Sequence, residues 1–344
     1  MVIDVHAHIF PEKIARKATD NIGRFYGCSM AADGTVENLL LWGDQYGVDR
    51  FVVHSVATTA KQVDSINAFL AEQVQSNPSR LIGFAALHPE SNRIPQQVEE
   101  ALQMGLTGVK LHPDFQEFHI DDEKAFPIYE AIEGRMPLLV HTGDSRTEYS
   151  KPWRLAKILD RFPKLNVIAA HFGGYSEWEN GALSLALKNV YVDTSSSQFA
   201  LTPHQVRELI DIFGADHVLF GTDYPMWNPG EELKKLALVP MTQEVDTAPV
   251  GMVTDTLLIG RTADLSVYVC RADYTRKAEF TLINELMENN KLPNLCIAIN
   301  GLDLQKKKYG YYYGYGKYGK YYGYGKRYGY GYGYGEKHTS REGK

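Results

Sequence analysis

The chain has 344 residues, 44% of them hydrophobic, and a formal net charge of -6. That length holds one large domain, or a medium domain plus part of another. The acidic balance leaves no basic footprint for nucleic acid. Cys28, Cys270 and Cys296 are too few and too scattered for a disulfide framework. No run approaches the roughly 18 apolar residues of a membrane span. The first apolar run starts at residue 2, which leaves no room for a signal peptide, so the cytoplasm is the expected location.

That first run, residues 2–10, carries His6 and His8 two positions apart. Side chains on a strand alternate faces, so both imidazoles point to the same side. Two neutral imidazoles at one strand end can share a metal ion. The competing reading is a pair of surface histidines on an edge strand. Further β-branched, apolar runs follow at 50–57, 81–88, 108–112, 137–142, 166–171, 190–194 and 218–222. Helical patterns fall between them, at 36–46, 65–75, 94–104, 124–133, 152–162 and 203–213, several opening on proline. Eight such βα units predict a (β/α)8 barrel over residues 1–240.

The polar residues gather at the strand ends. After His6 and His8 come His54, His88, Lys110 with His112, His141, His171-Phe-Gly-Gly and Gly-Thr-Asp223-Tyr-Pro. Barrel enzymes build their sites at the carboxyl ends of the strands. His54, His88 and His112 also read as residues that cap strands or bond the backbone. His119, His204 and His217 fall in helices or loops and read as surface.

The His-x-His start, Leu-Val-His141, Ala-Ala-His171-Phe-Gly-Gly and Phe-Gly-Thr-Asp223-Tyr-Pro, in that order, resemble the amidohydrolase superfamily. The nearest likeness is to the branch of aminocarboxymuconate-semialdehyde decarboxylase and related metal-dependent hydrolases. The resemblance implies a divalent metal held by His6, His8, His141 and Asp223, with His171 beside the bound water. Three imidazoles and a carboxylate suit one zinc ion. Zinc brings the pKa of bound water to roughly 7, where Asp223 can take its proton and His171 can orient or polarise the substrate. Lys110 lies where dinuclear members carry a metal-bridging carboxylated lysine. A single metal is expected here, with Lys110 as a substrate-carboxylate partner or structural cation.

After residue 240 the pattern changes. Asp246-Thr-Ala-Pro, a strand at 265–271, a helix at 277–289 and a strand at 295–300 resemble the carboxyl-terminal end of bacterial tyrosine autokinases. The Tyr/Gly/Lys tract at 309–334 resembles their tyrosine cluster. No Gly-x-x-x-x-Gly-Lys-Ser/Thr occurs, so the phosphate cradle is missing and the 245–304 segment is a partial P-loop-kinase-like α/β fragment. Residues 305–344 cannot bury a core and are expected to be disordered. Their tyrosines remain potential substrates of a complete tyrosine kinase acting in trans.

The expected activity is hydrolysis of a small carboxylic ester, lactone or amide by metal-activated water. The same ligand set also suits non-oxidative decarboxylation of a small carboxylic acid. A third reading is a phosphotyrosine-bearing regulatory or export protein with an inert barrel. A small-molecule substrate is expected, with no nucleic acid and no membrane span, and a homodimer is left open. Loops at 10–33, 144–152, 172–180 and 224–230 are expected to shape the pocket, with Arg24, Arg146, Tyr149, Trp178 and Trp227 hinting at an acidic or aromatic ligand.

Overall fold

The computed structural model describes residues 1–240, together with the backbone of Ser266–Arg271 and Leu295–Asn300. Eight parallel strands lie side by side in chain order: β1 (Ile3–His8), β2 (Arg50–His54), β3 (Leu81–Ala86), β4 (Gly108–Leu111), β5 (Leu138–Val140), β6 (Val167–Ala169), β7 (Tyr191–Asp193) and β8 (Val218–Leu219). The cylinder closes from β8 back to β1. The Val5 amide donates to the Phe220 carbonyl at 2.9 Å, His8 to Tyr224 at 2.7 Å, and Asp223 returns a bond to the His6 carbonyl at 2.8 Å. The eight expected strands are all present, and seven of them lead into the polar residues expected at their ends.

Alternation along each strand sorts side chains into two layers. On β2, Phe51 and Val53 face the outer shell of helices. Val52 instead joins Phe84, Leu139 and Ile168 inside the barrel. His54 comes last, at the mouth. Gly108 on β4 makes this interior possible, since a Cβ there would lie 2.4 Å from the Phe84 ring. Gly108→Val should therefore lower stability by roughly 1–3 kcal/mol, the usual cost of overpacking a core. Urea unfolding measures it, and a change below roughly 0.5 kcal/mol would mean that Phe84 has another place to go.

The connecting helices include α1 (Glu12–Tyr26), α2 (Val36–Tyr46) and α3 (Val63–Ser76). Those at Val36–Tyr46 and Pro203–Phe213 match the sequence pattern end to end. The Thr202 hydroxyl and Gln205 side chain cap the second reciprocally. Two expectations need correction. Residues 10–33, read as a pocket loop, contain the 15-residue helix α1. Residues 172–180 run into a helix at Trp178–Leu185.

Beyond residue 240 the strands β9 (Ser266–Arg271) and β10 (Leu295–Asn300) pair in parallel, Leu295 opposite Ser266 and Asn300 opposite Arg271. Both were expected as strands. The helix expected at 277–289, the Asp246-Thr-Ala-Pro element and the 305–344 tail lie outside the described residues. Among the described residues no helix is long and apolar enough to cross a membrane.

Candidate active site

The seam of the barrel brings together residues more than two hundred positions apart. The Asp4 carboxylate accepts the Thr222 amide at 3.0 Å and the Thr222 hydroxyl, tying β1 to the segment after β8. One residue more on β1 than on β2 between Asp4 and Ala7 shifts the register there. His6 and His8 nevertheless share a face, and both Nε2 atoms stand 3.3 Å from Asp223 Oδ1. His171 (φ 61°), Ser196 (φ 43°) and Asp223 (φ 60°) all hold left-handed backbone conformations that non-glycine residues avoid. Such strain persists where the surroundings over-determine a residue, and it gathers at functional sites.

The tautomer of His6 is set from behind. Its Nδ1 faces Asp193 Oδ2 at 2.9 Å, so Nδ1 carries the proton and Nε2 keeps its lone pair. Asp193 also accepts the backbone amides of His171 and Ser195, each at 3.0 Å, and the Ser195 hydroxyl. The His6 Nε2 lone pair meets the Lys110 ammonium at 2.9 Å. Lys110 is 1% exposed, and burial pushes its pKa down to about 8. It therefore touches the cluster directly, as a cation held against the nitrogen a metal would use.

A second tautomer chain runs through His171. Its Nδ1 faces the Ser195 carbonyl at 3.0 Å and so carries the proton, which leaves Nε2 to accept from His141 Nδ1 at 2.9 Å. That fixes the His141 lone pair on Nε2, a buried atom without a hydrogen-bond partner. It stands 3.6 Å from Asp114 Oδ2, equally unpartnered. His112 is satisfied locally, accepting the Phe115 amide on Nδ1 at 3.3 Å and meeting the Tyr26 hydroxyl through Nε2 at 3.0 Å. His88 accepts the Glu90 amide at 3.2 Å, as a strand-capping residue should. His54 departs from that expectation. It is fully buried, edge-on to His8 with ring centroids 4.4 Å apart, and neither ring nitrogen has a partner.

The electrostatics favour lone pairs over protons. Burial, followed by the Lys110 charge, pushes His6 down to about 4. Burial lowers His8, His54 and His141 as well. Burial alone would raise Asp223, but His6, His8 and His171 outweigh it and hold the carboxyl well below its usual range. Neutral imidazoles around an ionised carboxylate are the state that a divalent metal requires. The unpartnered nitrogen on His141 offers a buried lone pair to a cation, because buried polar atoms otherwise find partners. Among the described residues, donor atoms within 4.8 Å of one another occur in three clusters, His6–His8–His54, His6–His171–Asp193 and His112–Asp114–His141, so a metal fits this mouth, with His141 in a different cluster from His6 and His8. A cavity of about 20 Å³ adjoins it, lined by His6, His8, Lys110, His141, His171 and Asp223 and by apolar residues such as Ile22, Phe115 and Met226. That is room for about one water molecule.

Residues 3–248 match the family model described as Amidohydrolase. The chain belongs to the amidohydrolase family. Among curated proteins it is similar to a gamma-resorcylate decarboxylase of Polaromonas sp., at 24% identity over 54% of this chain and 75% of that protein. It is also similar to a 2-amino-3-carboxymuconate-6-semialdehyde decarboxylase of Dictyostelium discoideum, at 23% identity over 46% of this chain. There the matched region spans 55% of the relative. Solved structures share the family fold over 70% of this chain. A 5-carboxyvanillate decarboxylase from Sphingomonas paucimobilis is covered to 93%, with a TM-score of 0.54 and 16% identity. A dihydroxybenzoic acid decarboxylase from Polaromonas sp., with bound manganese and 2-nitroresorcinol, is covered to 92%, with a TM-score of 0.53 and 18% identity.

The structure thus brings His6, His8, Asp223 and Lys110 into direct contact and sets the His141–His171 pair on the wall of the same cavity. Sequence reasoning passed over Asp193, Asp114 and Tyr26. Asp193 was legible in principle, as a carboxylate ending an apolar strand at the level where other strands carry histidine. The aromatic and basic loop residues singled out earlier are absent from the lining of this cavity. Arg146 instead chelates Asp144 and donates to the Phe25 carbonyl at 2.7 Å, pinning α1 over the site.

Proposed function

We propose that residues 1–240 form a metal-dependent non-oxidative decarboxylase of a small carboxylic acid. His6, His8, His141 and Asp223 would hold one divalent cation, and His171 and Asp223 would handle protons. The observation that carries this reading is the buried cluster of proton-poor donors: two imidazole nitrogens on one carboxylate oxygen, with an unpartnered imidazole nitrogen nearby. The decarboxylases among the relatives favour this reaction over hydrolysis, which the same donors would also serve. Zinc suits the donor set, and the manganese in a related structure makes that ion an equal candidate.

A bound divalent ion would neutralise the substrate carboxylate and fix its orientation. The carbon–carboxylate bond breaks, its electron pair stays on carbon, a proton replaces the carboxylate there, and carbon dioxide leaves. The balance needs no oxidant. Asp193 keeps His6 in the ligating tautomer, and His171 does the same for His141. His171 lies on the cavity wall beside His141, so it is the group placed to carry the proton once its Nε2 exchanges the His141 hydrogen bond for the substrate. The small cavity keeps bulk water from that carbon until the proton arrives.

Metal analysis of the purified protein should find about one divalent ion per chain. The same protein should release carbon dioxide from members of a hydroxybenzoate panel, and chelation should abolish that release. Turnover of esters or lactones with no carbon dioxide from any acid would return the site to hydrolysis.

A further inference from the structure

Beside the metal-sized cavity lies a much larger one of about 930 Å³, and His8, Ile22 and Phe115 line both. Its walls are two facing helices. Ile14, Ala18, Ile22 and Phe25 form a stripe along α1 at spacings of four, four and three, so they share one face. The adjoining edge of that helix, Ala15, Thr19 and Gly23, is already buried. Across the gap α3 presents Ile66, Ala68 and Phe69. Lys13, Gln62 and Glu72 supply polar groups among these apolar walls. Ile14 is 44% exposed and Phe25, although edge-on to Phe115, is 38% exposed, so much of this second apolar face of α1 opens to space.

We propose that this chamber receives the body of the substrate, and that the substrate is an amphipathic carboxylic acid with an apolar part larger than one ring. The argument is one of size. The polar end has room for about a water molecule beside its donors, so it admits a carboxylate group and little more. The chamber falls at the upper end of the roughly 300–1,000 Å³ typical of drug-sized ligands. A single-ring acid would leave most of it wet and its apolar walls bare. Walls shared at His8, Ile22 and Phe115 set the two spaces side by side, which favours a small molecule anchored at the cluster over a docked protein segment. The identity of the charged end rests on the decarboxylase reading, whereas the subsite itself rests on the walls.

Calorimetric titration of the manganese-loaded full chain with salicylate and with 4-hexylsalicylate tests this. The hexyl acid should bind on the order of thirtyfold tighter, a fraction of what full burial of the chain would give. Ala68→Trp fills the chamber from α3, and Ile14→Asp places a charge on the wall of α1. Both positions are exposed, so the fold tolerates the changes. Each should cut the advantage of the hexyl acid below about threefold, with metal content and salicylate affinity unchanged. No advantage in the wild type, or one that survives both substitutions, overturns the proposal. Carbon dioxide is measured in the same samples. A hexyl advantage with no release from either acid supports the chamber and overturns the decarboxylase reading. Release from salicylate without a hexyl advantage does the reverse.

Discussion

His141→Ala should yield protein depleted in metal, while His171→Ala should keep about one metal per chain at saturating metal and lose activity by a hundredfold or more. The difference follows from which nitrogen each ring exposes. His141 turns a buried, unpartnered Nε2 outward, and alanine leaves three donors that cannot complete the coordination. His171 touches the proposed ligands from behind, through a ring stacked on His6 and a hydrogen bond with His141 Nδ1 at 2.9 Å. Its loss frees that imidazole to tilt or change tautomer, which should weaken metal affinity by roughly tenfold to a hundredfold without emptying the site. Elemental analysis and turnover on the same preparations separate the two effects. Full metal in both variants would remove His141 from the ligand set. Loss of metal from His171→Ala alone would exchange the roles.

Asp193→Asn should be nearly as damaging, although this carboxylate faces no substrate. It accepts from His6 Nδ1, from two backbone amides and from the Ser195 hydroxyl, and it is fully buried. The His6 and His171 imidazoles, together with these hydrogen bonds, hold it ionised against a burial cost that would otherwise raise its pKa. An amide supplies one acceptor oxygen and turns a donor toward groups that are themselves donors. Metal affinity should drop by roughly tenfold to a hundredfold as His6 loses its tautomeric restraint. Stability should fall by about 1–3 kcal/mol for the buried donors left unpaired. Calorimetric metal titration and thermal unfolding measure the two. Unchanged affinity in a destabilised variant would mean that Asp193 merely supports the fold.

Much of the architecture was legible because parallel strands buried on both faces leave uninterrupted apolar runs, and each run here stops at a polar residue. His6 and His8 were readable from period-two spacing alone. Helix α1 escaped although Glu12 in its first turn, Arg24 in its last and Gly27 just beyond it are ordinary end signals. Its start has no side-chain cap, and its buried edge is Ala15, Thr19 and Gly23, small residues that do not read as an apolar stripe. Gly23 is needed there, since a Cβ would lie 2.7 Å from the Cys28 carbonyl oxygen. Asp193 and Asp114 escaped for a different reason. Their importance lies in what they hold, His6 in one case and the surroundings of His141 in the other. Those partnerships span 187 and 27 positions, and no local pattern records them.

The closure between β1 and β8 has a consequence for how the polypeptide matures. Two of the proposed ligands, His6 and His8, emerge with the first strand, whereas Asp223 arrives only with the last. Bringing them together closes a loop of more than two hundred residues, an entropic cost that grows only slowly with length but falls due in full before any coordination bond forms. A chain halted before β8 would carry histidines and no site. In the finished barrel the ion would act as a clasp across the join where the last barrel strand meets the first, two strands that are not consecutive in the chain. It would resist the cylinder's opening along that line, so that retention of the ion and persistence of the closed ring become a single equilibrium.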